Sequence, residues 1–238
     1  VRTAFKTMYD LGLIYRGHRI VNWDPKGQTT ISDDEIVYEE RKSKIYTFKY
    51  AKDFPVSIAT TRPETKVGDT AVAVHPDDAR YKQFIGKTFE VDFAGAKLSI
   101  KIVGDIAVDP EYGTGAVGVT PAHSSIDAEI AARHNLSTIQ VINEYAKMMP
   151  KTGIVEGLKV AEAREKIVAW LNENDLMEKE EETTQNISTA ERTGAVIEPL
   201  PKLQWFIAVN KKFTKNGKER TLKEIMIEAV ESKQIKIM

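Results

Sequence analysis

The sequence has no cysteine among its 238 residues, which excludes a disulfide framework and a thiolate nucleophile. Any hydrolysis must therefore use water or an oxygen nucleophile. Its four histidines lack cysteine partners, so no metal site is expected. Long hydrophobic runs are also missing. Nothing approaches the ~18 apolar residues of a membrane helix, and Val1-Arg2-Thr3-Ala4-Phe5 lacks the pattern of a secretory signal. A cytoplasmic protein with no membrane partner is expected. There is no surplus of positive charge, since 34 Lys and Arg stand against 35 Asp and Glu; an RNA partner would have to be held by a local patch. Finally, there is no initiator Met. The chain opens inside an amphipathic pattern (Val1, Phe5, Met8, Tyr9) and stops at Ile235-Lys236-Ile237-Met238 without a closing signal, as a piece cut from a longer protein would.

A 42% hydrophobic content is enough for the core of one large domain. After the first helical pattern, Gly12 and Gly17 bracket a turn, and His18 to Trp23 reads as a strand ending at Asp24-Pro25-Lys26-Gly27. Thr29 to Ser43 is polar and reads as a loop. Short strand-like runs follow at Lys44 to Tyr50, Val56 to Thr61, Ala71 to His75, Lys87 to Phe93, Lys97 to Val103, Ala116 to Thr120 and Ile139 to Asn143. Helical patterns interrupt them at Asp77 to Phe84, Ser125 to His134 and Ala161 to Asn174, the last with Ala161, Ile167, Val168 and Leu171 on one face. The run Glu178 to Glu182 reads as a solvated edge. Val196 to Val209 is β-like despite two prolines, and Leu222 to Val230 reads as a final helix. The fold class is α+β, with a β-barrel-like or compact mixed sheet and peripheral helices.

Three segments carry candidate chemistry. In Thr60-Thr61-Arg62-Pro63-Glu64-Thr65, Pro63 ends a strand and leaves three hydroxyls and a guanidinium at its mouth. That cluster suits phosphate, ribose and carbonyl oxygens; it also suits a plain turn in which Arg62 pairs Glu64 on the surface. In the second segment, Gly113, Gly115 and Gly118 form a literal G-x-G-x-x-G. A dinucleotide site fails on context, because Asp109-Pro110 is a turn where a strand is needed and Pro121 falls where the helix should start. A glycine-lined strand that lets something approach its backbone is the better reading. In the third, His123-Ser124-Ser125-Ile126-Asp127, Ser124 can cap a helix with Asp127 in a capping-box-like position. Alternatively, the Asp127 carboxylate faces the glycine strand and binds an ammonium group. His123 and His134 read as polar packing groups, with His123 as general base left open.

Together these segments resemble the editing insertion of the valyl branch of class I aminoacyl-tRNA synthetases. The resemblance covers nearly the whole chain. Val21-Asn22-Trp23-Asp24-Pro25 is similar to the strand leading in from the synthetase body, with aspartate after tryptophan where the isoleucyl and leucyl enzymes tend to carry cysteine. Thr60 to Thr65 resembles the threonine-rich peptide, and Ala71-Val72-Ala73-Val74-His75-Pro76-Asp77-Asp78 the valyl branch in particular. Ile197-Glu198-Pro199-Leu200 and Gln204-Trp205-Phe206 resemble the return to the body. The resemblance implies an incoming segment 1–44, an editing domain 45–195 and a return segment 196–238. It also implies hydrolysis of threonine misattached to tRNA(Val), because a valine-activating pocket rejects an isostere bearing a hydroxyl by only about 10².

By that resemblance Asp127 and Thr65 are the catalytic pair, Asp127 holding the substrate ammonium. Thr60, Thr61, Arg62, Glu64, Lys66, Gly115, Gly118, Thr120, His123 and Ser124 would bind the aminoacylated CCA end. No metal or cofactor is implied for editing. ATP belongs to the aminoacylation body, and neither a His-x-Gly-His signature nor a Lys-Met-Ser-Lys loop is present. The implied partners are the threonylated CCA end of tRNA(Val) and the remainder of the synthetase chain, in a monomer. Many relatives carry lysine in place of Gly118, aspartate in place of Ser124 and an apolar residue in place of Lys66; on this reading Lys66 restores the cation lost at Gly118. The alternatives are the editing domain of an isoleucyl- or leucyl-tRNA synthetase, or a module that binds the CCA end without hydrolysing it.

Overall fold

The structure, a computed structural model, describes residues 1–236; Ile237 and Met238, the end of the C-terminal run, lie outside the described residues. The strands are β1 (Ile14–Asp24), β2 (Thr29–Thr30), β3 (Ile36–Phe48), β4 (Ile58–Thr60), β5 (Ala71–Val74), β6 (Thr88–Phe93), β7 (Ala96–Gly104), β8 (Ala116–Val119), β9 (Met177–Ala190), β10 (Glu198–Ile207), β11 (Phe213–Lys215) and β12 (Lys218–Arg220). The helices are α1 (Arg2–Asp10), α2 (Ser125–His134), α3 (Val160–Glu173) and α4 (Leu222–Glu231). The chain divides into two units, Ile20–Pro201 and Val1–Arg19 with Lys202–Met238. None of the described helices is long and apolar enough to cross a membrane.

In the larger unit β5 is buried at every residue, which fits its uninterrupted Ala-Val-Ala-Val sequence. It pairs in parallel with β7 and antiparallel with β8, in the sheet order β6-β7-β5-β8. Strand β7 alternates from Ala96 to Ile102, turning Ala96, Leu98, Ile100 and Ile102 inward. The β6–β7 turn is tight because Ala94 and Gly95 both adopt left-handed backbone, φ 52° and 81°. Beneath the sheet lies an aromatic core in which Phe93 stacks on Phe48 at 5.6 Å and meets Tyr50 edge-on at 5.3 Å. Helix α3 closes that core with Ala163, Ile167 and Leu171, and its Trp170 packs on Phe93 at 5.3 Å. Each such fully buried large side chain contributes roughly 1.5–3 kcal/mol.

A second sheet, in the order β4-β3-β9, carries the longest pairing: β3 and β9 run antiparallel from Ile36↔Ala190 to Phe48↔Met177, with one irregularity at Thr47/Phe48. The α+β class is borne out, with helices few and flanking. The sheets stay separate, however, and no barrel closes among the described residues.

Four local expectations are corrected. The polar stretch before Ser43 is not a loop, because β3 starts at Ile36; its exposed residues show no two-residue hydrophobic alternation, and pairing with β9 holds it extended. Asp77 to Phe84 is not an α-helix but turns ending in a 3₁₀ segment at Lys82–Phe84. There Asp78 accepts from the Arg80 N–H at 3.0 Å, a local bond that competes with helix formation. Ile139 to Asn143 makes only an isolated bridge, Ile142↔Met148. On α3 the inward face is Ala163, Ile167 and Leu171, with Ala161 exposed. The run Glu178 to Glu182 is solvated, as expected, but forms part of strand β9.

The smaller unit holds α1, α4 and the β11–β12 hairpin. Thr221 caps α4 with a reciprocal box to Glu224, and Trp205 meets Phe5 and Tyr9 at 6.2 and 6.4 Å.

Candidate functional site

Strand β4 ends where Pro63 cannot donate to a ladder, and the chain turns into a buried 3₁₀ segment, Pro63–Gly68. A buried ion network holds this turn. Glu64, fully buried, accepts two bonds of 2.8 Å from Arg164 on α3 and one of 3.1 Å from Arg62. Arg62 also donates to Glu198 at 2.6 Å. Burial penalises the Arg62 cation, but Glu198 and Glu64 outweigh it and raise its pKa. Burial likewise works against the Glu64 anion, yet the two arginines hold its pKa below the ordinary value. The Arg62–Glu64 pair expected at the surface thus forms, but with its Glu64 end fully buried.

Opposite that turn, β8 runs into the cap of α2. Ser124 accepts from the Asp127 N–H at 3.2 Å, as an N-cap should. The Asp127 carboxylate does not complete a capping box; its Oδ2 accepts from the Thr120 N–H at 2.8 Å. Its Oδ1 makes no bond to a described residue, and Asp127 lines the cleft.

The two walls enclose a cleft of about 200 Å³ lined by Thr60, Thr61, Arg62, Thr65, Lys66, Gly118, Thr120, His123, Ser124 and Asp127. The sequence motifs therefore converge. That volume is below the ~300–1,000 Å³ of sites that swallow a whole small molecule, and suits the end of a larger ligand. Two candidates stand elsewhere: Glu64 faces its arginines, and Gly115, at φ +73°, belongs to the turn before β8, where a Cβ would strike Arg80 and Pro110. Gly113 lies in the same turn, ahead of the strand rather than after one, so the G-x-G-x-x-G pattern has no dinucleotide setting.

The hydroxyls differ in what they can still do. Thr60 accepts from the Arg62 N–H at 3.1 Å, and Thr61 accepts from Gln185 at 2.9 Å, so both keep a proton to donate. Thr65 donates to the Arg62 carbonyl at 3.0 Å and can only accept further.

His123 is fixed by its ring. Its Nε2 receives the N–H groups of Val141 and Ile142 at 2.9 and 3.2 Å, which makes Nδ1 the protonated nitrogen, donating to Pro199 O at 3.2 Å. Burial, with the Arg62 and Lys66 charges, pushes its pKa down to about 3. The ring is a neutral staple with no nitrogen free for base chemistry. It also explains why Ile139 to Asn143 is no strand: two N–H groups of that run turn to the imidazole. His134 binds Asp105 at 2.9 Å beside Arg133, again as a packing group.

Below Gly118 lies a cluster in which motif reading named Lys66, Gly118 and Thr120 but missed Asp69 and Tyr50. Lys66, only 5% exposed, donates to Gly118 O at 2.7 Å, Thr120 Oγ1 at 2.8 Å and Asp69 Oδ1 at 3.2 Å. Asp69 also receives the hydroxyls of Thr120 and Tyr50. A Cβ on Gly118 would overlap Asp69 Oδ2 and the Tyr50 hydroxyl. What approaches the glycine strand closely is thus the chain itself. The available signal was Asp69, a charge two residues before the apolar β5.

The whole chain, residues 1–238, matches a family model described as tRNA synthetases class I (I, L, M and V). It is 48% identical over 210 residues to a valine--tRNA ligase of Staphylococcus carnosus, covering 87% of this chain and 24% of that protein. A valine--tRNA ligase of Thermotoga maritima is 45% identical over 239 residues, covering 99% of this chain and 26% of its own length. One from Aquifex aeolicus is 40% identical over 265 residues, covering 100% and 23%. The chain spans about a quarter of the length of these relatives.

Proposed function

The chain belongs to the class I tRNA synthetases (I, L, M and V), and from that premise we propose that it hydrolyses threonine misattached to the 3′ end of tRNA(Val). The observation that carries the reading is the pairing of an open carboxylate oxygen, Asp127 Oδ1, with a wall of hydroxyls across one small cleft. An aminoacyl ester presents an ammonium group, a carbonyl and a ribose within a few ångströms, and the cleft offers a complement to each. Asp127 takes the ammonium through a charge-assisted bond. Thr60 and Thr61 direct their remaining protons at the ribose and the carbonyl oxygen, where negative charge develops. Arg62 Nη1, with no partner among the described residues, is left to meet a phosphate oxygen.

Thr65 can only accept, so it holds the attacking water by one hydrogen. The water oxygen bonds to the ester carbon, the carbon–oxygen bond to the ribose breaks, one water proton passes to the departing ribose oxygen, and the other leaves with the threonine carboxyl group, which ionises to solvent. The ester is already activated, so positioning suffices and no metal, cofactor or covalent intermediate is invoked. The partners proposed are the threonylated CCA end of tRNA(Val) and the remainder of a synthetase chain, in a cytoplasmic monomer, with ATP used only by the aminoacylation body.

The test is to incubate the chain, in excess, with tRNA(Val) carrying threonine, valine or isoleucine, and with tRNA(Ile) carrying valine. Selective release of threonine supports the proposal. Release of valine from tRNA(Ile) would move the activity to the isoleucyl or leucyl branch, and binding without release would make the chain a CCA-end module.

A further inference from the structure

Thr120 lines the cleft, yet its hydroxyl is already governed from behind. Its proton goes to Asp69, one lone pair receives the Lys66 ammonium, and one lone pair is left. We infer that Lys66 and Asp69 are positioning residues that make Thr120 an acceptor toward the cleft, so that the site discriminates for a ligand bearing a hydrogen-bond donor. The inference rests on the editing reading above, in which that donor is the threonyl hydroxyl that valine lacks.

The orientation depends on charge. A hydroxyl next to an ionised carboxylate must donate to it, whereas a protonated carboxyl can itself donate and release the threonine proton toward the cleft. Asp69 is 1% exposed, and burial raises its pKa above the ordinary carboxylate value. The Lys66 ammonium at 3.2 Å opposes that, together with the Thr120 and Tyr50 hydroxyls, while Asp127 on the neighbouring wall adds a repulsion. Tyr50 is a pure donor here, since burial beside Asp69 holds its hydroxyl protonated. Lys66 therefore acts one step removed from the ligand: its three bonds go to Gly118, Thr120 and Asp69. The Lys66 cation works through the polarity of Thr120.

The experiment compares single-turnover hydrolysis of threonyl-tRNA(Val) and valyl-tRNA(Val) by the full chain and by Lys66→Met. A positioning role predicts a fall of up to about tenfold in the threonyl-to-valyl rate ratio, the worth of one neutral hydrogen bond. A merely structural role would lower both rates together and leave the ratio unchanged, which overturns the inference. If Lys66→Met loses its cooperative thermal transition, the Lys66→Met/Asp69→Asn pair, with no charge left unpaired, is read by the same ratio. A wild-type chain that releases neither amino acid refutes the editing reading itself; a selective wild type with an equally selective variant refutes only the role of Lys66.

Discussion

Placing a single methyl group on Gly118 tests the cluster beneath the cleft. In Gly118→Ala the new Cβ would overlap Asp69 Oδ2 and the Tyr50 hydroxyl and sit 3.0 Å from Ile58 Cδ1. None of these can swing away, because Tyr50 and Ile58 are fully buried and Asp69 is 1% exposed. Overpacking of a filled interior costs roughly 1–3 kcal/mol. If the Tyr50–Asp69 bond breaks to make room, a hydrogen bond to a charged group worth roughly 1.5–3 kcal/mol goes with it. The expected destabilisation is about 1–3 kcal/mol if the bond holds and about 2.5–6 kcal/mol if it breaks, read as the shift in urea midpoint at constant slope. Removing the obstructing oxygen should recover part of the loss. Gly118→Ala/Tyr50→Phe is therefore expected to be less destabilised than the sum of the single variants by about 1 kcal/mol or more. The reasoning is refuted if Gly118→Ala alone costs under about 0.5 kcal/mol, the scale of a neutral surface change, or if the two substitutions are additive.

Further outcomes follow from the walls of the cleft. Asp127→Asn keeps the shape but removes the charge facing the ammonium, so kcat/KM for threonyl-tRNA(Val) should fall about tenfold to a hundredfold, while Ser124→Ala should cost about 1 kcal/mol of stability through the cap. Glu64→Gln leaves Arg62 and Arg164 facing a neutral group; as both arginines keep about a third of their side-chain exposure, roughly 2–4 kcal/mol is expected in chemical denaturation, below the 3–5 of fully enclosed pairs. His123 adds a pH dependence. Its folded pKa of about 3 lies below the ordinary 6.5, so only the unfolded chain takes up the proton between those values. Its stabilisation is complete above pH 6.5 and is lost as pH falls toward 3, at up to about 1.4 kcal/mol per pH unit. His123→Gln should flatten the urea midpoint against pH over that window, and an unchanged profile would show that the ring is not held neutral.

The parts of this fold legible in the sequence are those whose signals are local. Ser124 announces α2, the Ala-Val-Ala-Val run announces a strand buried on both faces, and Pro63 marks the end of β4. The convergence of the threonine-rich turn with Thr120 and Asp127 was readable from ordered motifs. Illegible were features made by distant partners. Strand β3 has no hydrophobic alternation because most of it is solvated on both faces, and only β9, more than a hundred residues on, makes it a strand. Glu64 looked like a ligand because Arg164, its partner, lies 100 residues away. Tyr50 and Asp69 carry no motif; their importance comes from the space that Gly118 leaves them.

The solvated pairing of β3 with β9 also bears on how copies of this chain behave toward one another. Strand β9 ends the order β4-β3-β9, so among the described residues its outer edge carries backbone donors and acceptors with no further strand in that sheet. Such an edge is a template for another chain. Along it stand the exposed residues Glu178, Lys179, Glu180, Glu181 and Glu182, four of them anionic, and a second copy docking in register would bring like charges face to face. The charge run that looked like bland surface thus opposes pairing between copies at this edge: exchanging those glutamates for threonine and valine would turn a boundary of the fold into a site of growth.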